Sequence, residues 1–300
     1  MLVRVFGKSD GLLDRVSENE IFRFLSLRGI SPKLIGETSW GRFEEFLINH
    51  KPLPGGMSMI EMGPDLDMVS LIAKQLVVLH ASVKVTLASA NVFDVMSKWM
   101  MLVEEKCCTV RPSPPFAPPT ICVLRGEISW VKTTCMETVL GHPRIRTNAQ
   151  CLSLYKIVLC HNDMLSGNLM LDQKNLRLID FEYSGLNYAA ADLANLLCAV
   201  CESILIAGDM QNVKENFPSQ QVQLHLLEAY LQDPITDPEA LLTVLAAFAM
   251  ADELRWTLWN IIQEHQSEIP FDYCRCYNSR YNAYLDYKSM FTDKFNKLAD

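Results

Sequence analysis

The stretch "CHNDMLSGNLMLDQKNLRLIDFEYSG", residues 160–185, gathers His161, Asp163, Asn168, Asp180 and Glu182 around two short apolar runs, "LML" and "LRLI". Two such runs separated by polar residues predict a small hairpin near 157–180. A hairpin there returns Asp180 to the side on which a tight loop holds Asp163 and Asn168. An amide oxygen and a carboxylate suit Mg²⁺, a hard ion that keeps several waters and binds nucleotide phosphates. Asp163 is then available to take a proton from a substrate hydroxyl. These are the parts of a phosphoryl-transfer site, where catalysis is mostly positioning and charge neutralisation. Singly, each residue has a plainer reading: an Asp at a turn, an Asn at a cap, a His in a core. Together, at these spacings, they favour the chemistry.

The elements that position them can be read outward from this stretch. "MLVRVFG" alternates as a strand ending at Gly7. In "SENEIFRFLSLRG" the apolar residues Ile21, Phe22, Phe24, Leu25 and Leu27 predict a helix over 18–28, capped by Ser17 and stopped by Gly29. "KLIGETSWGRFEEFLI" predicts two short strands about a turn at Ser39–Gly41. After "NHKPLPGG" helical periodicity takes over, and "DLDMVSLIAKQLVVLHAS" is a strongly amphipathic helix. "RPSPPFAPPT" (111–120) has too many prolines for a helix interior and predicts a surface loop. Residues 189–300 read as largely helical. The expected architecture is α+β, with a small mixed lobe over 1–48 and a large, mostly helical lobe over 49–300.

Composition narrows the functions available. A formal charge of −8 argues against nucleic-acid backbone binding, which needs clustered cations. The longest apolar run, "ALLTVLAAFAMA" (240–251), is too short for a transmembrane span and is closed by Asp252 and Glu253. No basic segment followed by an apolar core opens the chain, and the 10 cysteines sit mostly among hydrophobic neighbours. Reduced, packed thiols in a cytoplasmic protein are therefore expected. Cys198 and Cys201 stand one helical turn apart, but no second C-x-x-C completes a zinc site.

"HNDxxxGN", then "LIDFEYSGxNY" and "DLAN", closely resembles the choline/ethanolamine kinases, a branch of the protein-kinase-like fold. Protein kinases themselves are less similar, because they carry Gly where this chain has Glu182. The resemblance extends to "LVRVFG…LLDRVSENEIFRFL…ISPKLIG", to "GRFEEFLINHKPL" as an inter-lobe hinge, and to "WTLWNIIQEHQSEIPFDY…SRYNAY" near the C-terminus. It implies a bilobal enzyme using ATP and Mg²⁺, with Asp163 as base and Asn168 and Asp180 as metal ligands. It places Arg4 at the nucleotide phosphates, Glu18 as the ion-pair partner of Arg4, and the backbone of Glu45–Leu47 against the adenine. His161 and Asp192 would brace the catalytic loop. Trp256 and Trp259 match paired pocket tryptophans and Phe271 a further wall. Aromatic faces suit a quaternary ammonium, which is attracted by ring quadrupoles and cannot donate hydrogen bonds. Two tryptophans at i, i+3 would otherwise read as core packing. The implied substrate is a small amino alcohol, ethanolamine or choline, whose phosphomonoester feeds phospholipid head-group synthesis. The resemblance leaves room for a homodimer.

Three departures stand against this pattern. An acid usual four residues after the Asn of "DLAN" is Ala199 here. Glu202, three residues on, is the nearby substitute, pointing about 60° away on a helix. A Tyr usual near the C-terminus is Cys276, with Tyr277 adjacent. Met1 falls inside the strand carrying Arg4, so the family's preceding hairpin, which covers the ATP phosphates, is not in this sequence. The last point favours an alternative, a non-catalytic pseudokinase serving as a binding or scaffold protein. The other alternative is an aminoglycoside-type kinase, whose acidic substrate surface the paired tryptophans do not match.

Overall fold

A computed structural model describes residues 1–7, 11–61, 67–83, 91–107, 119–201 and 213–299. Glu202 and nearly all of the proline-rich stretch lie outside the described residues.

The N-terminal part is a three-stranded antiparallel sheet with one helix. Strand β1 (Leu2–Val5), helix α1 (Arg15–Leu27), β2 (Leu34–Thr38) and β3 (Gly41–Glu44) follow one another, and the sheet order is β1-β3-β2. Helix α1 starts three residues earlier than the sequence suggested, because Asp14 rather than Ser17 is its cap. One Asp14 oxygen accepts the N–H groups of Val16 and Ser17, and the other takes the Ser17 hydroxyl at 2.8 Å. The carboxylate also complements the positive end of the helix. Gly29, at φ 68°, ends the helix as expected. Gly41 is required by close approach: a Cβ there would lie 2.3 Å from the carbonyl oxygen of Arg4.

The chain crosses to the larger part between Glu44 and Lys51. There follow β4 (Lys51–Pro52), α2 (Met68–His80), α3 (Val92–Lys106), α4 (Ile121–Thr133), a π-helical stretch (Thr134–Val139), α5 (Pro143–Arg146) and α6 (Ala149–Leu154). Next come β5 (Ile157–Cys160), β6 (Leu169–Asp172), β7 (Asn175–Leu178), β8 (Gly185–Tyr188) and α7 (Ala189–Ala199). The described remainder is α8 (Val213–Asn216), α9 (Gln220–Leu231), α10 (Pro238–Gln266) and α11 (Tyr273–Ala299). The hairpin expected near 157–180 resolves into two pairings. β6 and β7 form a hairpin over 169–178, with β4 on its outer edge, while β5 pairs with β8 instead. Both pairings converge on the polar loop of the opening stretch.

Helix α10 organises the large lobe. Asp237 caps it, Pro238 occupies its first turn, and it is buried on nearly every face from Ala240 to Ile262. A helix buried all round is central, and α3, α7 and α11 pack against it. Among the described residues no helix is long and apolar enough to cross a membrane.

Candidate active site

The loop carrying Asp163 is fixed from below by two helices. Asp192 and Asn195 lie one turn apart on α7 and receive the loop's backbone N–H groups. Asp192 accepts from His161 at 2.7 Å and from Asn162 at 2.6 Å, and Asn195 accepts from Met164 at 2.6 Å. Asp192 also takes the His80 Nε2–H at 3.0 Å. Burial pushes the Asp192 carboxyl up, but the hydrogen bond and charge of His80, with those of the loop, overcome it and hold the group below its ordinary range. On α10, Asp252 accepts from Asn195 and pairs with Arg255, whose guanidinium donates to the Asn162 carbonyl at 2.7 Å. Asn162 is thereby held at φ 63°, a left-handed conformation that costs a non-glycine residue energy and persists only when its surroundings fix it. The His161 ring donates to the Ile179 carbonyl at 2.8 Å, and burial lowers its proton affinity, so it is a neutral bracing group.

Above this base Asn168 meets Asp163, and the strand that leads into Asp180 is bonded to the Asn168 backbone. The Asn168 side chain donates to the Asp163 carbonyl at 2.9 Å and to Asp163 Oδ2 at 3.0 Å, so its amide nitrogen faces Asp163. The Ile179 N–H bonds the Asn168 carbonyl at 3.0 Å and sets Asp180 beside it at the end of the hairpin. Arg4 reaches Asp180 at 2.9 Å and Glu44 at 3.5 Å. The expected Arg4–Glu18 pair is not formed. Glu18 is instead taken by Arg42 at 2.7 Å and Arg15 at 2.5 Å. Arg42 lies on the central strand, wholly buried, and also pairs with Glu44 at 2.6 Å, so it is better placed than Arg4 on the edge strand. Arg15 continues to Glu182 at 3.4 Å. Burial, then the charge of Asp180, raises the carboxyl of Glu182 above its ordinary value.

Asp163 also opens into a cavity of about 310 Å³ whose wall includes Trp256, Trp259, Phe271 and Tyr273. Trp256 and Trp259 meet edge to face at 5.6 Å, and the Trp259 indole N–H donates to the Tyr183 hydroxyl at 2.8 Å. Cys276 is in this wall; Tyr277 is not, its hydroxyl lying 3.3 Å from the Cys274 sulfur, so it does not stand in for a tyrosine at 276. A larger cavity of about 590 Å³ between α1 and α3 shares Glu182 and Tyr183 with the first, but Asp163 lines only the smaller one. Size therefore does not locate the chemistry.

The family model for choline/ethanolamine kinase matches residues 1–285. The chain belongs to the choline/ethanolamine kinase family. Among its curated relatives, ethanolamine kinase 2 of Rattus norvegicus is 28% identical over 96% of this chain and 70% of its own length. Ethanolamine kinase 1 of Homo sapiens is also 28% identical over 96% of this chain, and 62% of its own length is covered. The crystal structure of choline kinase from Cryptosporidium parvum superposes with a TM-score of 0.74 at 23% identity, covering 97% of this chain and 82% of that one. The fold is thus the bilobal kinase-like one, with small sheets in its N-terminal part and a large helical C-terminal part.

Within this family member, the structure gathers Asp163, Asn168, Asp180, His161 and Asp192 into one loop assembly, and Trp256, Trp259 and Phe271 into one cavity. Glu45 and Leu47 follow β3 in the crossing segment. Glu45 turns its N–H and its carboxylate to Lys33, at 2.8 and 3.0 Å. Ala199 ends α7, and Glu202 beyond it is not among the described residues. Burial pushes the thiol of Cys201 up to about 12 and that of Cys198 well above its ordinary value, so both are protonated packing groups. Sequence reasoning missed His80, Asn195, Asp252, Arg255, Arg42 and Arg15. Asn195, Arg15, Arg42 and His80 all lay inside quoted stretches, but their partners are far apart in sequence, and nothing local marks any of the six as serving the site.

Proposed function

We propose that the protein transfers the γ-phosphoryl group of ATP to the hydroxyl of ethanolamine or choline. The observation that carries this reading is a single cavity lined by Asp163 together with Trp256, Trp259, Phe271 and Tyr273. An amino alcohol has a hydroxyl and an ammonium two carbons apart, and this cavity offers a base to one and aromatic faces to the other.

In this reading Asp163 accepts the hydroxyl proton as the oxygen attacks phosphorus. Asn168, bonded to Asp163, keeps the carboxylate aimed, and the α7 and α10 braces prevent the loop from relaxing. Asn168 and Asp180 fit Mg²⁺: they offer an amide and a carboxylate beside one another, next to a further acid at Glu182. Bound there, the ion neutralises charge on the phosphates. Arg4 is the cation of the N-terminal part that already stands at Asp180, and it serves the phosphates. The backbone of Glu45–Leu47, in the segment that crosses between the lobes, is the part that meets the adenine in this reading.

The test is ADP release with each amine as acceptor. Release that requires both the amine and Mg²⁺ is expected. No release with either amine, from protein that is folded by circular dichroism, would leave the scaffold reading in its place.

A further inference from the structure

We propose that Asn260 is a specificity residue that accepts an N–H from the substrate's ammonium, so that the site favours primary amines over quaternary ones. The proposal rests on the amino-alcohol reading above and names which member of that class the site selects. Asn260 stands four residues after Trp256 on α10, so it shares the helix face of that ring, and it lines the cavity that holds Asp163. It is 2% exposed. Its Nδ2 donates to the Trp256 carbonyl at 2.9 Å. That bond fixes the orientation of the amide, because the flipped amide would set two oxygens against each other. Oδ1 is left buried, with no hydrogen-bond partner among the described residues.

A buried amide oxygen without a donor is costly, and an orphan of this kind in a cavity wall marks the place of a ligand's donor. The surroundings identify that donor as a cation. The wall is aromatic and includes the carboxylates of Asp163 and Glu182. The Trp259 indole N–H is already given to Tyr183, and Arg280, the wall's guanidinium, pairs with buried Glu253 at 3.3 Å. A primary ammonium brings three N–H groups to such a site and satisfies Oδ1 with one of them. A trimethylammonium brings none, and it sets a methyl group where the oxygen needs a hydrogen. A site built around a hydrogen bond rejects the analogue that lacks the donor more strongly than an apolar site rejects an extra methyl group.

The experiment compares kcat/KM for ethanolamine, its N-methyl and N,N-dimethyl derivatives, and choline, in the wild type, Asn260→Ser and Asn260→Leu. Serine keeps a hydroxyl able to bond the Trp256 carbonyl one turn back but is too short to hold an acceptor where Oδ1 stands; leucine keeps the volume and has no acceptor. The ethanolamine-to-choline ratio, taken on one preparation, does not depend on how much of a variant is folded. The wild-type ratio is expected to exceed one, with the largest fall in kcat/KM at the last methyl group, which removes the last N–H, and to drop about tenfold in both variants, the scale of one hydrogen bond to a charged group. A wild type that prefers choline, or variants that keep the wild-type ratio, would overturn the role of Asn260 and leave the amino-alcohol reading standing. Turnover of none of the four amines by the wild type would overturn both.

Discussion

Asp163 is an ordinary carboxylate placed by unusual surroundings: its loop is bonded to α7 and α10, and its own Oδ2 is held by Asn168. Asp163→Asn keeps the shape and an acceptor for Asn168 but removes the proposed base. Phosphoryl transfer should fall by about 10²–10⁴-fold, the usual contribution of a positioned base, with the thermal midpoint nearly unchanged. An ADP-release assay that shows most of kcat retained would mean that the proton goes elsewhere. The two tryptophans should separate in the same way. Trp256 is 7% exposed, and the Arg255 guanidinium sits 4.5 Å from its ring centre, so one face already serves a protein cation. Trp256→Ala should therefore cost stability, about 3–5 kcal/mol. Trp259 is only half-buried and should contribute mainly to the amine. Trp259→Ala should cost on the order of 1–2 kcal/mol of cation–π attraction, or roughly 5- to 30-fold in KM for choline. The loss should be smaller for ethanolamine, which also donates hydrogen bonds, and KM for ATP should be nearly constant. Unchanged KM for both amines, with a lowered melting temperature alone, would make Trp259 a core residue.

The elements show which parts of this site could be read from the sequence. Asp163, Asn168 and Asp180 are legible because they lie within 18 residues of one another and a local hairpin suffices to gather them. The partner of β5 was not legible: β8 is supplied by residues 185–188, and nothing local distinguishes that pairing from one with β6. Arg42 was missed for a similar reason. On a short strand "GRFE" reads as half-exposed, and only the packing of α1 over β3 shows that Arg42, Glu44 and Glu18 share one buried face. The start of α1 slipped because Asp14 and Ser17 are both good caps, and the carboxylate, with two backbone N–H groups in reach, wins. The Arg42 network gives an element-scale prediction. Arg42→Met removes the buried cation that Glu18 and Glu44 share, leaving them only the part-exposed Arg15 and Arg4, and should cost about 3–5 kcal/mol. Adding Glu18→Leu and Glu44→Leu should recover much of that loss, because an apolar face can replace a buried ion network. Denaturant unfolding of the two variants decides it: a triple variant less stable than Arg42→Met alone would show that the carboxylates have other duties in the fold.

At the scale of the molecule, the two lobes are tied together at the segment that ends in Asp180 and Glu182. Arg4 from β1 meets Asp180, Arg15 from α1 meets Glu182, Phe22 packs edge-on to Phe181 at 6.4 Å, and Arg177 donates to the Ser31 carbonyl at 3.0 Å. The acids proposed to meet the metal are thus also the points at which the small lobe is held to the large one. A nucleotide seated between the lobes with Mg²⁺ on Asn168 and Asp180 would add a second tie across the same seam and stabilise both lobes at once. At a concentration 100 times its Kd, a ligand of the folded state adds about 2.7 kcal/mol. For a chain of this size that corresponds to a rise of roughly 5 °C in melting temperature. The rise should require Mg²⁺ and ATP together and should vanish in Asp180→Ala, which leaves the proposed site with Asn168 and without its carboxylate. Titration calorimetry on the same two proteins should show Mg·ATP binding by the wild type alone. Equal shifts in wild type and variant would move the metal away from Asp180, and no shift in the wild type would count against nucleotide chemistry at this seam.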